Sequence, residues 1–277
     1  NNTITASNFK FDRIKNILTA NKNVQFLDSE KNTTIESDKA TYLKDEEIIF
    51  TEGNSRAVDV NNTITASNFK FDRIKNILTA NKNVQFLDLE KDTTIETDKA
   101  TYLKNEEIVF TEGNSRANID TKYKFSSNNV IYNKLKQELS SKDNSIVIDN
   151  NENQYETNNF VYQIDKRLLK AKNVTLISKV EKNKYDNYYF SEGFFDFKDQ
   201  SFLSKETKIK VHKDIFGNPD QDPRIYGSSS SGNENYTIIN NGIFTSCKIK
   251  GNCPPWSLYS EKITHDKKNK NLIYKNP

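Results

Sequence analysis

Residues 3 to 28 read TITASNFKFDRIKNILTANKNVQFLD. Ile4 to Phe11 is rich in β-branched and aromatic residues, and the polar run Asp12 to Asn16 interrupts it. A second apolar run, Ile17 to Ala20, is followed by Asn21-Lys22-Asn23 and then by Val24 to Leu27. Short β-prone runs punctuated by Asn, Asp and Lys read as consecutive strands. Thr63 to Asp88 repeats this text without change.

The duplication extends further. Residues 1–57 and 61–117 align without gaps and differ only at Ser29/Leu89, Asn32/Asp92, Ser37/Thr97, Asp45/Asn105 and Ile49/Val109. A unit added so cleanly belongs to a stack, in which each unit touches only its neighbours. Inside each unit lies a fainter period of about 30 residues, visible on comparing Ile4 to Phe11 with Ile35 to Tyr42. Ile4 and Ala6 have the opposite parity to Phe9 and Phe11. Such a phase slip implies a bulge or corner that turns both apolar sets toward one interior.

Looser versions of the pattern follow at Lys122 to Asn151, Tyr155 to Val180 and Tyr188 to Val211, and no helix-length pattern interrupts them. From about Ile215 the texture changes to loop chemistry and a last hairpin-like pair. The expected organisation is therefore a repeat stack over 1–214, with 1–60 and 61–120 as duplicates, and a closing segment over 215–277. The fold class is all-β, a stack of short strands.

Composition fits a thin β-structure. Hydrophobic residues make up only 34% of the chain, yet it holds 17 Phe and 13 Tyr, which argues against disorder. The 41 basic and 38 acidic residues are interspersed and leave a net charge of +3, giving no nucleic-acid footprint. No apolar run is long enough for a membrane-spanning helix. Methionine is absent and Asn1 falls inside the repeat phase, so a mature or excised fragment is expected.

The inward candidates are Phe9, Phe11, Leu18, Val24 and Phe26, with Phe69, Phe71, Leu78, Val84 and Phe86 in the duplicate. Sequence alone leaves open whether they close a core or line a groove. Arg56 and Arg116 recur after Gly-Asn and read as solvated rim charges, contact with lipid phosphates being the alternative. Glu46-Glu47 and Glu106-Glu107 read as solvent-facing turn residues, a carboxylate pair for glycan cleavage being the enzymatic alternative. His265 lies in a Lys-rich turn and is expected to be exposed. No catalytic constellation, cofactor motif or metal-ligand spacing stands out, so the expectation is a non-enzyme without cofactors. Cys247 and Cys253 enclose a short loop whose closure would contribute roughly 2–3 kcal/mol.

Four segments carry a resemblance. DPRIYG (222–227), NNGIFTSC (240–247), PWSL (255–258) and EKITHD (261–266) resemble the end of the periplasmic domain of the LptD family, the outer-membrane lipopolysaccharide-assembly proteins also called organic solvent tolerance proteins. The upstream units, of the form A-x-x-x-F/Y-D…N-x-L-x-A-x-x-N-V, are similar to repeats of the periplasmic carriers of that pathway. The resemblance implies a β-jellyroll, or β-taco, with a greasy groove between two sheets that conducts lipopolysaccharide. The ten inward residues would line it. It also implies a periplasmic location tethered to the outer membrane by a following β-barrel with its lipoprotein plug. A periplasmic carrier of the same superfamily would be received by edge-strand addition. Cys247 matches a family cysteine linked to the barrel, which stands beside the Cys247–Cys253 pairing as an alternative. A closed-core structural or adhesive β-solenoid and a stand-alone carrier are the competing readings.

Overall fold

The computed structural model describes residues 2–181, 184–212, 221–248 and 256–277. It is all-β: the described residues form antiparallel strands and no helix. The chain divides into two compact units, Asn1–Leu139 and Ser140–Pro277.

The first unit contains β1 (Asn2–Thr5), β2 (Asn8–Asp12), β3 (Ile17–Asp28), β4 (Thr33–Leu43), β5 (Ile48–Glu52), β6 (Ser55–Val58), β7 (Asn62–Ala66) and β8 (Asn68–Asp72). It continues through β9 (Ile77–Asp88), β10 (Thr93–Leu103), β11 (Ile108–Glu112), β12 (Asn114–Ile119), β13 (Tyr123–Asn128) and β14 (Ile131–Asn133). β15 (Glu138–Ser141) crosses the division.

Each layer consists of two arms joined at a corner. The first arm of β3 pairs with β2, Ala20 opposite Phe9, and its second arm pairs with β1, Phe26 opposite Ile4. On its other side β4 accompanies both arms, with Ala40 opposite Ala20 and Ile35 opposite Phe26. The ladder shifts between Asn21 and Val24 because β3 uses two residues, Lys22 and Asn23, where β4 uses Asp38 alone. Lys22 and Asn23 take φ of 63° and 53°, and Lys82 and Asn83 in the duplicate take 61° and 54°. This left-handed pair bends the strand without ending it. The Asn-Lys-Asn tripeptide is thus a corner inside one strand of 12 residues, not a turn between two strands.

Corners stack through backbone hydrogen bonds, Asp38 N–H to Gly53 O at 3.1 Å, Gly53 N–H to Ser67 O at 3.0 Å and Ser67 N–H to Lys82 O at 3.0 Å. The two arms of the layers face each other. Phe26 on one arm meets Tyr42 on the other with centroids 6.3 Å apart, and Phe86 meets Tyr102 at 5.6 Å and Tyr132 at 6.1 Å.

The second unit holds β16 (Ser145–Ile148), β17 (Gln154–Thr157), β18 (Asn159–Gln163), β19 (Leu168–Glu181), β20 (Lys184–Asp196) and β21 (Ser201–Lys210). Then come β22 (Arg224–Gly232), β23 (Tyr236–Thr245), β24 (Leu258–Asp266) and β25 (Asn271–Lys275). β19 repeats the corner plan, pairing with β18 through Ala171–Phe160 and with β17 through Leu176–Tyr155. From β19 to β25 each strand pairs with the next. The described part of 215–277 therefore continues the pairing of β21.

Candidate functional site

Between the arms of the first unit the side chains sort into three zones. The arms are apolar. The inner corner carries hydroxyls that bond one another, Thr51 to Ser55 at 2.6 Å, Thr97 to Ser115 at 3.0 Å and Thr111 to Ser115 at 2.7 Å. The free ends of the arms, here called the lips, carry charge.

All ten expected inward residues lie on the inner face, but in two environments. Val24, Phe26, Phe69, Phe71, Leu78, Val84 and Phe86 are buried, Phe69 and Phe71 at 2% and 0% exposure. Leu18 is half-buried. Phe9 and Phe11, identical in sequence context, are 51% and 45% exposed. The difference is neighbours: β5 pairs with β8 and brings Ile49 opposite Phe71, whereas among the described residues β2 pairs with β3 alone. Tyr102, Tyr132, Tyr123 and Phe125 complete the interior. Sequence reading passed over these tyrosines, although each alternates in step with a neighbouring inward residue.

The lips are bridged. Arg73, in the turn after β8, donates from Nε to Asp28 Oδ2 at 2.7 Å and from Nη2 to Asn2 Oδ1 at 2.6 Å, and pairs with Glu47. Its guanidinium lies 5.9 Å over the Phe26 ring. One repeat on, with a shift of one position, Lys134 takes the same role. It pairs with Glu107 at 2.9 Å and Asp88 at 3.6 Å and donates to Asn62 Oδ1 at 2.8 Å. Between these two, Lys104 pairs with Asp59 at 3.1 Å and donates to Thr33. Glu47 and Glu107 therefore turn toward the lips and are not the solvated turn residues expected, while Glu46 and Glu106 are exposed. Arg56 is exposed, 3.6 Å from Glu36, and Arg116 is exposed opposite Glu96.

Electrostatics follow from burial. Burial by itself would raise the Asp28 carboxyl, but hydrogen bonds from Arg73 and the Lys31 and Glu30 backbone outweigh it and hold the group below the usual carboxylate range. Burial, with nearby carboxylates, pushes the Tyr102 and Tyr132 phenols far up. They stay protonated and donate, Tyr102 to Glu107 at 2.9 Å and Tyr132 to Asp88 at 2.8 Å.

No protein-family model matches this chain, and no curated protein matches it. Eighteen solved chains do. One is LptH, the LptA-homologous periplasmic component of the lipopolysaccharide transport device of Pseudomonas aeruginosa. It is 11% identical with a TM-score of 0.38, the match covering 41% of this chain and 82% of that one.

The interior of the second unit is a ring network. Tyr155 meets Phe195 at 5.0 Å and Phe197 at 5.3 Å, and Phe190 meets Phe195 at 5.8 Å and Phe202 at 5.5 Å. A polar cluster is buried beside it. His265, expected exposed, is only 2% so, because it continues the inward alternation of Ile263 along β24. Its Nδ1 is buried with no hydrogen-bond partner among the described residues, and burial pushes the imidazole down to about 4. Burial also raises the nearby Asp186 carboxyl and lowers the Lys267 ammonium. Cys247 is half-buried, its Sγ 3.8 Å from the Trp256 carbonyl oxygen, and Cys253 lies outside the described residues, as does any pairing through it.

Proposed function

We propose that this chain binds and conducts lipopolysaccharide between its facing arms, in the periplasm, as the periplasmic part of an outer-membrane assembly protein of the LptD type. The observation that carries this reading is the zoning of the interior. In the first unit apolar side chains line the facing arms from layer to layer, and the charge of its interior is confined to the lips. A lipid with several acyl chains and a phosphorylated head matches that division. Burial of acyl chains yields about 0.8 kcal/mol per methylene without demanding a particular sequence. Arg73, Lys104 and Lys134 can exchange their carboxylate partners for lipid phosphates as the lips part. The reading requires no bond to be made or broken, and no cofactor.

The partners follow from strand edges. An unpaired edge of such a stack accepts a strand from another chain. In this reading the added strand comes from a periplasmic carrier of the same superfamily, and a barrel with its lipoprotein plug receives the lipid.

One observation favours a second reading, a closed-core β-solenoid acting in structure or adhesion. Phe71 and Tyr132 are fully buried and ion pairs bridge the lips. Photocrosslinking to lipopolysaccharide separates the two. A probe replacing Phe26 or Phe86 should form lipid adducts, and one replacing Lys124, exposed on the outer face of β13, should not. Folded protein without adducts at either Phe position sinks the conduit and leaves the solenoid.

A further inference from the structure

The outer face of the second unit carries a row that the interior reading leaves unused. The register sets Tyr189 of β20 opposite Lys208 of β21, Lys208 opposite Tyr226 of β22, Tyr226 opposite Ile243 of β23 and Ile243 opposite Tyr259 of β24. Tyr188, Ile209, Ile225 and Phe244, their chain neighbours, are buried. By strand alternation the row therefore faces outward. Tyr226, Ile243 and Tyr259 are exposed. The three tyrosines fall on alternate strands, roughly 9–10 Å apart.

Charge collects at one end of this row. Lys208 Nζ lies 5.7 Å from the Tyr189 ring centroid and 5.5 Å from that of Tyr226, and Lys210 Nζ lies 5.4 Å from Tyr189. Among the described residues neither lysine forms an ion pair, whereas Lys170 and Lys205 share Glu192 at 3.7 Å and 3.3 Å. Between Tyr226 and Ile243 the surface dips into a shallow pocket of about 350 Å³, lined by Glu206, Lys208, Gly227 and Asn241 as well.

These features specify a ligand chemistry. Spaced aromatic rings offer flat apolar platforms, which suit the C–H face of a sugar ring. Two uncompensated ammonium groups call for an anion, and the Asn241 amide can both donate and accept toward hydroxyls. The row spans five strands, so the ligand is extended. We propose that this face binds a phosphorylated saccharide laid across the strands, with sugars on Tyr189, Tyr226 and Tyr259 and a phosphate at Lys208 and Lys210. The saccharide is either free or the head of a glycolipid. Binding here is independent of whether acyl chains enter the interior.

The test is calorimetric titration of the full chain with core oligosaccharide freed of acyl chains by mild acid. The comparators are the same oligosaccharide after dephosphorylation, inorganic phosphate, and vesicles of phosphatidylcholine and phosphatidylglycerol. The expected result is saturable binding of the phosphorylated oligosaccharide that weakens with salt and on dephosphorylation. Tyr226→Ala and Lys208→Gln should each weaken it about tenfold, and Lys205→Gln should leave it unchanged, each variant being checked for folding by circular dichroism. Binding also to vesicles that contain the intact glycolipid marks a lipid head as the source, and binding of the oligosaccharide alone marks the free form. No saturable binding overturns the proposal. So does binding no stronger than that of inorganic phosphate, or binding that survives both row substitutions. Binding to phosphatidylglycerol vesicles alone overturns it in favour of a membrane-surface patch.

Discussion

Arg73 and Asp28 lie 45 positions apart in sequence and meet with Nε 2.7 Å from Oδ2, across the lips of the first unit. Asp28 has no exposed side chain and Arg73 very little. Removing one member of such a pair leaves a buried charge uncompensated, at a cost of about 3–5 kcal/mol. Arg73→Met should therefore destabilise the first unit by that order in urea unfolding. Arg13 occupies the same place in the first repeat but is exposed, so Arg13→Met should stay within about 0.5 kcal/mol. Equal effects of the two substitutions would exclude the clasp.

The same pair sets an acid dependence. The Asp28 carboxyl is held below its ordinary value, so its contribution is fully present above the usual carboxylate range. It is lost as pH falls through the lower folded value. Wild type should lose stability over that window relative to Arg73→Met, in which the carboxylate is no longer held down. Parallel pH curves for the two proteins would count against the assignment.

The duplication offers a controlled comparison of burial. Phe71 is fully buried and Phe11 is 45% exposed in the same sequence context. Phe71→Ala should cost about 3–5 kcal/mol through lost contacts and the cavity left behind. Phe11→Ala should cost less than about 1.5 kcal/mol, since roughly half of its surface is already in water. Thermal unfolding of the two variants measures the difference directly, and equal costs would mean that the two layers are equally covered.

Much of this architecture is legible in local text. The exact repeat forces a stack, the parity change between Ala6 and Phe9 forces a corner, and alternation places the inward phenylalanines. The lip clasp is not legible in that way. Arg73 and Asp28 have no local pattern in common, and their meeting depends on which arms face each other, which strand spacing leaves open. Phe9 and Phe11 differ from Phe69 and Phe71 only in the layer beside them, which their own sequence does not record. His265 could have been found. Its parity with Ile263 marks it as inward, and the Lys-rich turn that suggested exposure begins just after it.

Corner geometry gives a further test. Gly113 has φ of 89°, and a Cβ there would lie 2.6 Å from Asp98 Oδ2. The carboxylate can swing aside, but the left-handed backbone still penalises alanine. Gly113→Ala should cost about 1–2 kcal/mol, and Gly113→Asn less, because asparagine tolerates this region. Chemical denaturation that ranks asparagine as the worse substitution would mean that crowding at Asp98, and not φ, governs the corner.

His265 sets a second acid dependence, in the other unit. Its imidazole ordinarily titrates near 6.5, and burial pushes it down to about 4. A base whose folded value is depressed favours folding only while uncharged. Stability is therefore full above about 6.5, declines as pH falls toward 4 and levels off below. The loss is at most roughly 3 kcal/mol, from about 1.4 kcal/mol per unit. The raised Asp186 carboxyl works in the opposite sense, since the folded chain takes up that proton more readily than the unfolded chain does. The comparison must therefore hold Asp186 and Lys267 constant. His265→Leu does so, and it also removes the nitrogen that has no hydrogen-bond partner among the described residues. Near neutral pH it should lie within about 1 kcal/mol of wild type. On acidification toward pH 4 wild type should fall below it progressively, the gap approaching that limit. A gap that stays constant with pH would show that His265 keeps its ordinary affinity for protons, and hence that water reaches it in the folded chain.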